Sequence, residues 1–63
     1  MDKVTVIITG LDLSEIESIL DESDLADYEY ISDNRYLLEY RDLSDLGQVI
    51  EMLENAGADI EEV

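Results

Sequence analysis

Asp21, Glu22, Asp24 and Asp27 place four carboxylates within one short stretch of the chain. Such a cluster could ligate a hard cation, work as an acid–base pair or simply display negative charge. The first option needs a defined pattern: a calcium loop of the EF-hand type takes oxygens at positions 1, 3 and 5 and a glycine at 6. Counted from Asp21, position 5 is Leu25 and position 6 is Ala26. The expectation is therefore diffuse attraction of cations and no metal site. Catalysis would have to proceed without His or Cys, using carboxylates, tyrosines, serines or Lys3. On so small a domain most carboxylates must stay in water. No catalytic residue, no cofactor and no enzymatic activity are expected.

Charge display remains. The chain has 18 Asp and Glu against 3 Lys and Arg, a net charge of −15. A small domain stays soluble with a net charge of about 2–8, so the excess calls for a reason. Nucleic acids and anionic membranes would repel such a chain, which excludes direct nucleic-acid and membrane binding and leaves basic partners. Nor does the charge imply disorder, because 46% of the residues are hydrophobic and fall in periodic runs.

Those runs define the elements that must position the carboxylates. Residues 3–9, KVTVIIT, alternate Val4, Val6 and Ile8 on one face with Thr5, Ile7 and Thr9 on the other, as a strand does. Gly10 ends it. Asp12 or Ser14 can cap a helix over about 13–22, with Glu15 or Glu17 completing a capping box and Leu13, Ile16, Ile19 and Leu20 as its buried stripe. Two Tyr-, Ile- and Leu-rich strands follow near 28–32 and 35–41, joined by Asp33-Asn34, residues that tolerate a tight hairpin turn. A second helix over about 43–56 carries Leu46, Val49, Ile50 and Leu53 on one face, with Gly57 at its left-handed end. The final ADIEEV can form a short closing strand.

The order is βαββαβ. Asp12-Leu-Ser-Glu-Ile16 and Asp42-Leu-Ser-Asp-Leu46 repeat one pattern, each after a strand and at the start of a helix. Two βαβ halves build a ferredoxin-like α+β sandwich in a single domain over residues 1–63, with two helices on one face of a four-stranded antiparallel sheet. "VTVIITGL" and "VIEMLENAGADIEEV" resemble the first strand and turn, and the last helix and strand, of the heavy-metal-associated domain. That family grips a cuprous ion with two thiolates three residues apart. Aligned on Gly10, their places fall at Leu13 and Ile16, so the resemblance implies the fold without the metal chemistry.

Glu15, Glu17, Asp21 and Glu22 lie off the stripe of the first helix, and Asp45, Glu51 and Glu54 off that of the second. Helix neighbours three or four apart have Cβ atoms about 5–6 Å apart, comparable to the spacing of phosphates along a strand. With Asp24 and Asp27 they form the expected partner-binding acidic face. A regular hairpin about Asp33-Asn34 points Ile31, Tyr36, Leu38 and Tyr40 towards the helices and leaves Tyr28, Tyr30 and Leu37 beside Ile7 on the open sheet face. These four are the expected interface of a homodimer with acidic helices on both outsides.

At class level the chain resembles the small acidic proteins with which bacteriophages disable host DNA-binding proteins, HU-type nucleoid proteins among them. That likeness implies a DNA-mimic inhibitor binding a basic protein in the cytoplasm, the host's if the chain is phage-encoded. The alternatives are a regulatory or scaffolding module that binds through its open sheet face, and a generic domain adapted to high salt. The polar start MDKVTV is unlike a signal peptide, and no apolar run reaches the ~20 residues that span a bilayer.

Overall fold

Alternation along the first strand sorts Val4, Val6 and Ile8 to one side, the side of the sheet that the two helices cover. A computed structural model describes residues 2–63. The elements run β1 (Asp2–Thr9), α1 (Leu13–Ser23), β2 (Ala26–Ser32), β3 (Arg35–Tyr40), α2 (Leu43–Asn55) and β4 (Asp59–Glu62). The four strands form one antiparallel sheet in the order β2-β3-β1-β4, the ferredoxin-like arrangement. Val6, Ile8, Tyr36 and Leu38 from the sheet meet Ile16 and Leu20 of α1 and Val49 and Leu53 of α2, all at most 2% exposed. The core is therefore the single layer between sheet and helices.

The element boundaries follow local chemistry. Asp42 caps α2: its carboxylate accepts the Asp45 backbone N–H at 3.0 Å and the Ser44 hydroxyl at 2.6 Å. Asp12 holds the same position at α1 but makes no side-chain cap bond. α2 closes with Gly57 at φ +109°, where the Ala58 N–H reaches the Leu53 carbonyl and the Gly57 N–H reaches that of Glu54, a Schellman closure. α1 ends instead on Asp24, held left-handed at φ 51°, ψ 27°. The stripe of α1 narrows to Ile16 and Leu20 with Ile19 beside them. Leu13, expected to be buried, is 44% exposed in the first turn, as is its repeat counterpart Leu43 at 73%.

One expectation about the sheet is overturned. Asp33 and Asn34 do form the hairpin turn, with φ of 50° and 65°, and Ser32 pairs with Arg35 across it. The next pair, however, is Tyr30 with Tyr36, so Ile31 is the extra residue of a β-bulge and the register shifts by one. Tyr28 then pairs with Leu38 and Ala26 with Tyr40. Tyr28 and Tyr30 thus stand on the helix side, while Ile31, expected in the core, is 50% exposed. A regular hairpin would have set Asp27 opposite Tyr40 and Glu29 opposite Leu38, burying two carboxylates without partners. The bulge exchanges them for Ala26 and two tyrosines, which avoids several kcal/mol of desolvation.

Candidate functional site

The helix layer concentrates the charge. Residues 12–24 carry six carboxylates and residues 42–54 carry four, with no Lys or Arg in either segment. Each helix has its apolar stripe turned into the core, so the acidic positions are forced outwards or to the flanks. Glu15, Asp21, Glu22, Asp24, Glu51 and Glu54 are exposed; Glu17 and Asp45 are half-buried on the flanks. Eight of the nine expected acidic positions therefore belong to the helices and their ends. Asp27 does not: it pairs with Glu39 on the open side of the sheet.

Two of the three cations lie on the sheet, and the third, Arg41, precedes the Asp42 cap of α2. Lys3 pairs with Glu39, and Arg35 with Ile7, both on the open side, and Arg41 follows the end of β3. Among the described residues the one ion pair is Lys3 Nζ to Glu39 Oε1 at 4.0 Å, a loose surface contact of little energetic weight. Arg41 lines a shallow polar pocket with Asp24, Asp27, Glu39 and Asp45, where the end of α1 and the start of β2 approach the start of α2. Among the described residues no group of three or more Asp or Glu is arranged to hold a metal ion.

The open face is less apolar than the sequence implies. Ile7 and Leu37 remain on it, both half-buried by their neighbours, but the tyrosines expected beside them are on the other side. In their place stand Asp27 and Glu29 on β2 and Asp59 and Glu61 on β4. The face is a narrow apolar centre, Ile7 and Leu37 with Thr5, between acidic edges, and Lys3 and Arg35 lie along the middle strands.

The displaced tyrosines form a feature that a regular register conceals. The Tyr28 hydroxyl donates to Asp21 Oδ1 at 3.3 Å, joining β2 to the flank of α1. Tyr30 meets Tyr36 edge-on, with ring centres 5.2 Å apart and planes at 65°. Burial, followed by the charges of Asp21 and Glu17, pushes the Tyr28 phenol above its ordinary pKa. Burial also raises that of Tyr36, with Tyr30 and then Glu17 adding to it. The sequence signal for this placement is the alternation of Asp27 and Glu29 with Ala26, Tyr28 and Tyr30, since the charged set is the one that must face water.

Among the described residues no helix is long and apolar enough to cross a membrane. No protein-family model, curated protein or solved structure matches the chain.

Proposed function

We propose that this protein is a DNA-mimic inhibitor, a homodimer whose helix-layer carboxylates occupy the nucleic-acid-binding surface of a basic DNA-binding protein such as an HU-type nucleoid protein. The observation that carries this reading is the separation of charge: ten carboxylates on the helices and their caps with no Lys or Arg among them, Lys3 and Arg35 on the sheet, and Arg41 alone at the edge of the helix layer beside Asp42. Self-repulsion within that layer works against folding, so its retention favours a use in binding. A cationic surface shaped for phosphates would exchange its counterions for these carboxylates and gain much of the same ionic free energy. Pairing of two copies through the open face is the arrangement that keeps both helix layers outward. Lys3 and Arg35 lie on that face, where they would offset part of the repulsion between the acidic edges of two copies.

The second reading, a module binding through an aromatic open face, is weakened by the register, which takes Tyr28 and Tyr30 off that face. The deciding experiment is titration of the purified chain into an HU-type protein bound to labelled duplex DNA. Release of the DNA, with affinity for the chain falling steeply between about 50 and 200 mM salt, supports mimicry. If neither that protein nor any DNA-binding protein recovered from a bacterial lysate is displaced by added duplex, mimicry is wrong.

A further inference from the structure

β2 is an edge strand, paired on one side by β3, so the backbone groups along its outer side have no ladder partner. On the helix side β2 presents its own Tyr28 and Tyr30, brought there by the bulge at Ile31. Tyr30 is 45% exposed. Beside them on α1 stand Glu17 and Asp21, four residues apart and hence on the same flank, with Asp21 already bonded to Tyr28. Two aromatic rings, two carboxylates and an unpaired strand edge therefore meet along one seam. Such a seam offers a cation two different attractions at once, the ring quadrupole and the carboxylate charge.

We propose that the α1–β2 seam, built from Glu17, Asp21, Tyr28 and Tyr30, receives arginine side chains from an extended basic segment of a partner protein. Charge complementarity selects this occupant. A second copy adding along the same edge would bring its Asp27 and Glu29 against the Asp27 and Glu29 of the first on the open side of the sheet, a like-charge pairing that disfavours the contact. Nucleic acid is repelled outright. An extended segment laid along β2 projects alternate side chains to the helix side, so cationic residues at every second position reach the seam. Arginine fits better than lysine, because its planar guanidinium stacks on a ring while its edge still bonds a carboxylate. The inference rests on the reading above for the basic character of the partner; it adds a discrimination that charge mimicry by itself does not make.

The test uses the isotopically labelled full chain and two peptides, an alternating Arg-Thr hexamer and its Lys-Thr counterpart, at about 0.1 M salt. Expected are amide shifts concentrated on residues 17–21 and 26–31, and binding of the Arg peptide roughly two- to five-fold tighter than the Lys peptide. Tyr30→Leu keeps the charge and most of the bulk, and should remove the preference for Arg while leaving Lys affinity in place. Should that variant fold poorly, Glu17→Gln against Glu54→Gln makes the same comparison at equal charge: loss concentrated in the first supports the seam. Equal affinity for the two peptides, equal loss in the two Gln variants, or shifts spread over α2 and β4 would overturn it and leave charge mimicry standing. A seam that prefers Arg on a chain that displaces no DNA would keep this inference and remove mimicry.

Discussion

The carbonyl oxygen of Gly57 occupies the space a side chain on Gly10 would need: a Cβ there would lie 2.7 Å from that oxygen. Gly10 follows β1 and Gly57 closes α2, so the two halves of the repeat approach here too closely for a side chain. Gly10 also has φ +93°, a conformation closed to most residues. Gly10→Ala should therefore cost at least ~2–3 kcal/mol, lowering Tm by on the order of 10 °C or more in a chain of this size. Gly57→Ala, at φ +109° but with only Leu11 Cδ2 at 3.9 Å nearby, should cost less, about 1–2 kcal/mol. Thermal unfolding of the two variants checks the order, and a Gly57 variant as damaged as the Gly10 variant would refute the contact.

Asp24 is a second backbone lesion with the opposite consequence. It holds a left-handed conformation and places a carboxylate at the C-terminal, negative end of the α1 dipole. Asp24→Asn tolerates the conformation and removes the charge, and Asp24→Gly also removes the steric cost. Each should stabilise the fold by about 0.5–1 kcal/mol at low salt, measured by chemical denaturation. Unchanged stability in both would mean that neither strain nor dipole matters at this end.

The two helix caps predict an asymmetry that the repeat conceals. Asp42→Ala removes two accepted hydrogen bonds and should lower stability, whereas Asp12→Ala removes none and should change it less. The Ser44 hydroxyl first, and then the Asp45 amide, hold the Asp42 carboxyl below its ordinary pKa. Its contribution is therefore complete above the unfolded-state value and is lost as pH falls through the lower folded one. Acid titrations of wild type and Asp42→Ala should converge at low pH, and curves that remain parallel would contradict the cap.

At the alkaline end the sign reverses. Tyr28 and Tyr36 hold their protons more tightly in the fold than in the unfolded chain. The contribution of these two groups should then be constant below about pH 10 and fall as pH rises through the folded values, because the unfolded state ionises first. Tyr28→Phe removes one of these groups, and the bond to Asp21, and should flatten the loss. Ultraviolet titration of phenolate alongside circular dichroism resolves the two events.

Most of the fold was legible because two signals agreed: strand and helix periods in the apolar residues, and turn residues at Gly10, Asp33-Asn34 and Gly57. The helix flanks were equally readable, since Ile16, Leu20, Val49 and Leu53 determine which carboxylates must point outwards. Leu13 was misread because its helical spacing is correct but it is the first residue of α1, where the side chain stays 44% exposed. The side of Tyr28 and Tyr30 was lost to one inserted residue. Periodicity within β2 does not reveal on which side of the turn an extra residue sits, and only weighing Asp27 and Glu29 against the tyrosines as candidates for burial would have located Ile31 as the bulge.

Charge on the helix layer makes the broadest prediction. Glu15, Glu17, Asp21 and Glu22 lie within eight residues of one helix with no cation among them, so they repel one another and the four carboxylates around α2. Raising salt shortens the screening length from about 30 Å at 0.01 M to about 8 Å at 0.15 M, and Tm should climb over that range. Replacing the four by Gln and Asn should raise Tm at low salt, shrink its salt dependence and abolish displacement of duplex DNA from a basic target. The pairing of these effects is what discriminates. A variant that is more stable yet inactive shows charge kept for binding against the interest of the fold. A variant that loses stability shows carboxylates that hold α1 in place, and one that keeps full activity removes the helix layer as the binding surface.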